Sequence, residues 1–472
     1  MNRLCTSDSR NTLFFLASLF LGELSIMAIV MAIHMKGERP FAVFLSSKSG
    51  IVFLLAIVVS LIAVAFIICQ YLASKRSQLS HFRLIVTMNL ITMILILITV
   101  EVSLRLISHS VKEGEAINDT VLLPKKWDKI ASHFRERLTP TGNPITFSGG
   151  WDPKTSYSYV VYDDLLGWTI GPNRRSAHSL YASSSEGIRA PHKDVTFAEA
   201  TGKMRIALVG DSYTFGEEVA YEQTWGYFLE RALGPGFQVL NFGVPAYGLD
   251  QAYLRFEKDV PMWKPNIVIL GFISHDLMRT MSVYPFIRFS TWELPFLKPR
   301  FILRDGVLKR VNVPPVAPEA IFSRGSISEL PFLDYDSGYK PGDWKKSLYH
   351  HSALARLFVS WFPRWSVKSS DVSDQATVSV NASILKAFIR SATQMGAIPI
   401  VVYFPQEELQ APNPNSTGKL LLREADIPST DPTPCLLELN SADRFLINHY
   451  SPQANEKVAK CLKDVVVQNL AG

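Results

Sequence analysis

Three long apolar segments occupy most of the first quarter of the chain. Residues 51–74 contain no charged side chain, residues 13–33 contain only Glu23, and residues 84–107 stay uncharged as far as Val100. A helix rises about 1.5 Å per residue, so each segment is long enough to cross a hydrocarbon core of roughly 30 Å. The pattern predicts three transmembrane helices. A cleaved signal peptide is the alternative for the first segment, but Glu23 interrupts its apolar run and two more segments follow.

Basic residues around these segments set the predicted orientation. The N-terminus and the loop after the second segment hold slightly more Lys and Arg than the loop between the first and second segments. Loops enriched in these residues stay in the cytoplasm. We therefore expect a cytoplasmic N-terminus and an extracytoplasmic chain after the third segment. In that oxidising space Cys435 and Cys461 are predicted to form a disulfide.

Short apolar segments alternate with longer amphipathic ones beyond residue 204. This alternation is typical of right-handed crossovers and a mainly parallel sheet covered on both faces, so the sequence predicts an α/β domain. The predicted strands are residues 206–209, 237–241, 267–273 and 398–404, and the predicted helices are residues 225–233, 251–260, 382–395 and 452–470.

The same patterns divide the chain into three regions. Residues 1–108 form the predicted transmembrane region. Residues 109–201 are rich in Tyr, Trp, Ser and Pro with little periodicity, so they are interpreted as a stem and irregular packing layer. Residues 202–472 form the α/β domain. Within it, residues 284–343 break the alternation and are interpreted as an insertion near the sheet edge or over a cleft.

Composition narrows the possible functions. Hydrophobic residues make up 47% of the 472 residues and charged residues 19%, so neither a wholly disordered nor a uniformly soluble chain fits. Four Cys are too few for a disulfide-dense scaffold. The net charge of +6 is scattered along the chain, so no nucleic-acid partner is expected. His, Cys and carboxylate residues form no closely spaced set in the sequence, so we expect neither a metal nor an organic cofactor.

A serine follows the first predicted strand of the α/β domain. Residues 206–216 run from an apolar strand into a tight turn, bounded by Gly210 and Gly216, that presents Asp211 and Ser212. Ligands of open α/β sheets bind outside the carboxyl ends of the strands, where a nucleophile would also lie. This position favours a nucleophilic Ser212 over the alternative, an ordinary turn with a capping serine.

Further candidate residues follow other elements in the same manner. Asn241 and Gly243 end the second strand, where a glycine lets a backbone N–H approach a reacting carbonyl. His275 and Asp276 end the third strand. His449 precedes the last helix, from which it can reach a serine at the same sheet edge as a general base. Each residue alone is compatible with a structural role, but together they favour a catalytic site.

Four short motifs follow one another along residues 204–470: Gly210-Asp211-Ser212, Asn241-Phe242-Gly243, His275-Asp276 and His449. In this order they resemble blocks I, II, III and V of the SGNH (GDSL-type) hydrolases. Upstream, residues 164–173 and 185–189 resemble a segment of membrane-anchored bacterial members. The resemblance implies a flavodoxin-like sheet and an esterase, lipase or carbohydrate O-acyl hydrolase anchored in a bacterial cell membrane. With the three predicted spans, we expect a multi-pass membrane protein. It also implies Ser212 as nucleophile, His449 as base, and the amides of Ser212 and Gly243 as oxyanion donors.

Two positions differ from the family pattern. His275 stands where the family has an Asn that donates to the oxyanion, and Leu446 stands where it has an Asp three residues before the histidine. Asp443 is a nearby carboxylate, which reaches His449 only if the loop folds back. We therefore expect low esterase activity and a gain from Leu446→Asp combined with His275→Asn.

These observations predict a membrane-anchored SGNH-type serine esterase or acyl-transfer enzyme acting on ester-linked acyl groups of an envelope glycan or lipid. In this interpretation Ser212 attacks the ester, His449 accepts its proton, and water or a sugar hydroxyl releases the acyl group. The alternative is a catalytically weakened or inactive SGNH-like protein that binds or assembles glycans. The sequence leaves the acyl group, the acceptor, protein partners and the oligomeric state open.

Overall fold

The structure is a computed structural model that describes residues 80–139, 146–147, 160–176, 179–197, 202–361, 374–410 and 416–471. The predicted membrane spans 13–33 and 51–74 lie outside the described residues. Two compact units divide the chain: Met1–Lys126 with Pro341–Lys368, and Trp127–Lys340 with Ser369–Gly472.

The elements of the described residues are numbered here in chain order. The α-helices are α1 (Ser80–Ile107), α2 (Trp127–Arg137), α3 (Ser212–Phe215), α4 (Trp225–Leu233), α5 (Leu249–Asp259), α6 (Ser274–Thr280), α7 (Pro285–Arg288), α8 (Pro318–Phe322), α9 (Ala353–Trp361), α10 (Asp374–Gln394), α11 (Gln406–Gln410), α12 (Thr417–Ala425), α13 (Thr433–Leu436) and α14 (Pro452–Ala471). The strands are β1 (His109–Val111), β2 (Gly114–Ile117), β3 (Thr120–Val121), β4 (Leu138–Thr139), β5 (Thr146–Phe147), β6 (Val160–Asp163), β7 (Gly167–Ile170), β8 (Ala182–Ser183), β9 (Arg189–Ala190), β10 (Met204–Gly210), β11 (Phe237–Asn241), β12 (Ile267–Phe272), β13 (Arg300–Arg304), β14 (Val307–Val311) and β15 (Ile398–Tyr403).

The first unit contains α1, the antiparallel strands β1 to β3, and α9. Among the described residues one helix, α1, has a window long and apolar enough to cross a membrane, Leu90–Ile107. Near its end Glu101 pairs with Arg105 at 2.7 Å and accepts the backbone N–H groups of Ala353 and Leu354 at 2.8 and 3.0 Å. These N–H groups have no partner within α9, so Glu101 caps that helix.

The second unit is built on four parallel strands in the order β11-β10-β12-β15. The predicted α/β domain with a mainly parallel sheet is therefore confirmed. All six residues of β12 are buried, which explains its uninterrupted apolar sequence, because helices cover both faces of such a sheet. Thr430 adds a parallel bridge to Val402 beyond β15.

Successive side chains of β10 enter hydrophobic clusters on opposite faces of the sheet. Val209 lies in one cluster with Phe388 of α10, and Leu208 lies in the other with Leu229 of α4 and Val458 of α14. This period of two follows from strand geometry. The parallel pairing of the strands brings their carboxyl ends to one edge of the sheet, where the candidate residues lie.

The observed boundaries differ from the predicted ones. The predicted stem and packing layer, residues 109–201, is divided between the two units after Lys126, and its residues Trp168, Tyr181 and Ile188 are buried in the same cluster as the sheet. Residues 341–368 belong to the first unit, and this segment begins close to the end of the predicted insertion 284–343. Strands of two to four residues joined by turns produce no sequence periodicity, which is why the pattern did not show this packing.

Candidate active site

Ser212 lies at the carboxyl end of β10, as the first residue of α3. Asp211 caps this short helix, with its side chain accepting the backbone N–H of Tyr213 at 2.9 Å. Gly210 has a φ of +156°, and a Cβ there would lie 2.4 Å from the carbonyl oxygen of Gly271. Glycine at position 210 therefore lets the chain turn beside β12 and present the serine.

His449 contacts Ser212 across 237 residues of sequence. Its Nε2 lies 2.9 Å from Ser212 Oγ, and its Nδ1 lies 3.0 Å from Glu218 Oε1. In the neutral tautomer that suits both contacts, Nδ1–H donates to the carboxylate and Nε2 accepts the serine O–H. The structure thus brings together the two residues predicted as nucleophile and base, and adds a carboxylate.

Glu218 was not among the predicted site residues. It has a positive φ of 71°, which is uncommon for a residue with a side chain. Its carboxylate also accepts the backbone N–H groups of Ile447, Asn448 and His449 at 2.9, 3.1 and 3.3 Å. These bonds hold the loop before α14 against the turn after α3. Residues with a positive φ, such as Glu218, cluster at functional sites.

The segment upstream of the sheet supports the Glu218 turn. Arg189 has no exposed surface, and its guanidinium donates to the carbonyl of Val219 at 3.0 Å. It lies over the rings of Tyr181 and Phe215, 4.8 and 4.6 Å from their centroids. The Tyr181 hydroxyl oxygen accepts the backbone N–H of Glu218 at 2.8 Å. Arg189, the last residue of the upstream motif 185–189, therefore contacts the turn that carries Glu218.

Opposite charges shift the pKa values of both His449 and Glu218. Burial lowers the pKa of His449, but the carboxylates of Glu217 and Glu218 outweigh burial and leave it above its usual value. Burial raises the pKa of Glu218, but its bonds to His449 and to backbone N–H groups leave it below its usual value. The carboxylate is thus ionised near neutral pH, where it stabilises a protonated imidazole.

Two further predicted residues, Asp211 and Asp276, are buried and share one partly buried cation, Arg279. Arg279 donates to Asp276 at 2.7 Å and lies 3.5 Å from Asp211. Burial raises the pKa of Asp211, and burial together with the Asp211 charge raises that of Asp276 well above its usual value. Asp276 also accepts the N–H of Ile273 at 3.1 Å, so the pair secures the turns after β10 and β12.

The predicted oxyanion residues have other partners in this structure. The Gly243 N–H donates to Asn241 Oδ1 at 2.9 Å, while Asn241 Nδ2 donates to the carbonyl of Thr214 at 2.8 Å. A Cβ on Gly243 would lie 2.4 Å from the Phe215 nitrogen, so only glycine allows this turn to pack on α3. His275 Nδ1 lies 3.3 Å from Gln406 Oε1.

Asp443, the possible orienting acid in the sequence, has a different hydrogen-bond partner in the structure. Asp443 accepts a hydrogen bond from Asn440 at 3.2 Å, and the Leu446 side chain is exposed. The carboxylate at His449 Nδ1 belongs to Glu218, a residue that the sequence did not suggest for this role. Two adjacent Glu residues just after the nucleophile turn were the available sequence signal.

Cys435 and Cys461 form a disulfide in the structure, with 26 residues of sequence separation. It joins α13 to α14 and closes a loop that contains His449. Among the residues that the structure describes, no group of three or more His, Cys, Asp or Glu side chains is placed to hold a metal ion.

No protein-family model and no curated protein matches the chain. Among solved structures, a protein described as lipolytic, of the G-D-S-L family from Desulfitobacterium hafniense, is 15% identical, with a TM-score of 0.28 over 56% of this chain and 99% of that chain. A lipase/acylhydrolase from Enterococcus faecalis is 13% identical, with a TM-score of 0.29 over 56% and 96%. An aryl esterase from M. smegmatis is 14% identical, with a TM-score of 0.28 over 56% and 99%. In motif order and in the placement of Ser212 and His449, the chain itself resembles the SGNH (GDSL-type) hydrolases.

Proposed function

We propose that the protein is an SGNH-type serine esterase or acyl-transfer enzyme. The observation that supports this most strongly is the hydrogen-bonded row of Ser212, His449 and Glu218, with heavy-atom distances of 2.9 and 3.0 Å. A serine hydroxyl is a weak nucleophile, and an adjacent base oriented by a third group activates it.

The chemistry begins with attack of Ser212 Oγ on an ester carbonyl. The Oγ proton moves to His449 Nε2, and the resulting imidazolium keeps its Nδ1–H bond to Glu218. As the tetrahedral intermediate collapses, Nε2–H protonates the leaving alkoxide and an acyl-serine remains. Water or a sugar hydroxyl then gives its proton to Nε2 and attacks the acyl carbon. As this second tetrahedral intermediate collapses, Nε2–H returns the proton to Ser212 Oγ, and the carboxylic acid or the new ester is released.

The backbone N–H groups of Ser212 and Gly243 are the proposed donors to the oxyanion. In the free protein the Gly243 N–H donates to Asn241 Oδ1, so the oxyanion would replace a neutral amide oxygen as its acceptor. Hydrogen bonds to a charged acceptor are the stronger ones, which favours that exchange in the transition state. His275 lies on the first turn of α6 after β12 and is a third candidate donor.

An envelope glycan or lipid is the proposed source of the ester. This part of the proposal is supported by the apolar window of α1, by the predicted spans before it and by the distribution of basic residues around them. In this arrangement the catalytic unit is extracytoplasmic and works close to the membrane of a bacterial cell.

Labelling with a serine-directed fluorophosphonate tests the proposal on the full chain in detergent. We expect labelling of the wild type, none of Ser212→Ala, and at least tenfold slower labelling of His449→Ala. Ser274→Ala is the matched control, because this serine also follows a strand of the sheet but its hydroxyl bonds to Tyr403 at 2.8 Å. Equal labelling of wild type and Ser212→Ala would exclude Ser212 as nucleophile, and no labelling of either would favour the glycan-binding alternative.

A further inference from the structure

A second carboxylate lies on the reacting side of His449. Glu217 Oε2 is 3.5 Å from Nε2, the nitrogen that also faces Ser212 Oγ at 2.9 Å. Only 9% of Glu217 is exposed. Since Glu218 holds Nδ1, each ring nitrogen of His449 faces a carboxylate from the same turn.

The other charged or titratable groups around His449 act less directly. Asp211, from the turn after β10, forms an ion pair with Arg279, and the two charged groups are 3.5 Å apart. Tyr213 of α3 packs its ring 5.0 Å from the imidazole centroid, and burial raises the pKa of its hydroxyl well above the usual value, so it stays neutral. Glu217 and Glu218 are therefore the two negative charges that bear on the imidazole most directly.

The position of Glu217 has two opposite consequences for catalysis. When Ser212 transfers its proton to Nε2, the new positive charge forms beside Glu217 and is stabilised by it. In the free enzyme the same attraction keeps Nε2 protonated to higher pH, and a protonated Nε2 cannot accept the serine proton. A carboxylate at this nitrogen thus favours the transition state while it narrows the pH range in which the reaction starts.

We propose that Glu217 is a positioning residue that sets the pH above which Ser212 becomes reactive. The proposal rests on the proposed serine-hydrolase function and extends it. Glu218 fixes the tautomer of His449, whereas Glu217 controls the protonation of the nitrogen that exchanges the proton with substrate.

The test compares the pH dependence of kcat/KM for p-nitrophenyl acetate in wild type, Glu217→Gln and Glu222→Gln. The group that must be deprotonated in the free enzyme determines the midpoint of the rise in kcat/KM. An opposite charge at this distance shifts a pKa by about one unit or more, so we expect Glu217→Gln to lower the midpoint by about one pH unit. Glu222→Gln removes the same charge from an exposed position nearby and should leave the midpoint unchanged.

A second readout does not require turnover. Titration of ¹³C-labelled histidine by NMR, with the His449 resonance assigned from its loss in His449→Ala, measures the imidazole pKa directly. We expect the same downward shift in Glu217→Gln, and a smaller shift in Glu217→Asp, which retains the charge on a shorter side chain. The aspartate variant also serves if the glutamine variant does not fold.

The outcomes separate this proposal from the proposed function. If Glu217→Gln leaves both the kinetic midpoint and the His449 titration where they are in wild type, Glu217 has no such role even though Ser212 is active. If no Ser212-dependent turnover is found, the esterase proposal fails, and an unmoved NMR titration then overturns the role of Glu217 as well. A shift in the variant together with an unmoved Glu222→Gln control supports it.

Discussion

Replacing Glu218 by Gln is the sharpest perturbation that the site offers. The substitution keeps the shape of the side chain but removes the charge that pairs with the His449 imidazolium. It also leaves one oxygen to serve three backbone N–H groups and Nδ1–H, where the carboxylate has two. The amide group that takes the place of the second oxygen can turn its N–H towards Nδ1 and favour the wrong tautomer of His449.

The expected loss follows from the role of such a carboxylate. In other serine–histidine systems, removal of the orienting charge lowers kcat by about 10⁴. At about 1.4 kcal/mol for each tenfold change, this corresponds to about 5 kcal/mol of transition-state stabilisation. Because Glu217 still stabilises the imidazolium here, we expect a fall of about 10² to 10⁴ in kcat, with a smaller change in KM.

The assay is steady-state hydrolysis of p-nitrophenyl acetate by the full chain in detergent, with Ser212→Ala as the blank. Asp443→Asn is the matched control, because Asp443 is the carboxylate that sequence reasoning offers for the same role. We expect Asp443→Asn to retain activity within about threefold of wild type. If Asp443→Asn loses as much activity as Glu218→Gln, or if Glu218→Gln retains full kcat, the assignment of Glu218 is refuted.

Three further predictions concern stability. Arg189→Met leaves the buried carbonyl of residue 219 without its donor, so we expect about 1–3 kcal/mol lower stability in urea unfolding and a reduced kcat; unchanged values of both would contradict the role of Arg189. Gly210→Ala places a Cβ 2.4 Å from a backbone oxygen and should cost about 3 kcal/mol or more, whereas Gly236→Ala, with open space around it, should cost far less. Cys435→Ser combined with Cys461→Ser removes the disulfide that closes a loop of 26 residues, so we expect the free energy of unfolding to fall by about 3 kcal/mol, as the chain-entropy model gives. Unchanged stability would indicate that the mature protein lacks the disulfide.

The sheet and its helices were accessible from the sequence because their signals are local. β11 spans the predicted residues 237–241, and α4 spans the predicted residues 225–233. Each strand buried on both faces gives an uninterrupted apolar run, and each helix gives an amphipathic period. Ser212 and His449 could be placed because both follow from the position of strand and helix ends.

The burial of individual residues in the upstream segment could not be predicted from the sequence, because its packing depends on long-range contacts. Trp168 and Tyr181 lie on or beside short strands without a repeating pattern, yet both are buried with the sheet. Arg189 would be expected on the surface from its charge. Its burial against the rings of Tyr181 and Phe215 depends on chain segments that the sequence alone does not bring together.

The orienting carboxylate was missed for a geometric reason that also changes the expected effect of restoring the family residue. The Leu446 N–H donates to the carbonyl of His449 at 2.9 Å, so these residues form a tight turn and the Leu446 side chain is 49% exposed. Glu218 already occupies the position at Nδ1 and binds the backbone of this turn. An aspartate at position 446 would start from an exposed site and would add a negative charge close to Glu218, which disfavours both charges. On the sequence alone a gain is expected from Leu446→Asp combined with His275→Asn. The structure changes this prediction for the Leu446→Asp part to no gain or a loss in kcat, because in the proposed site Glu218 already supplies the carboxylate at Nδ1.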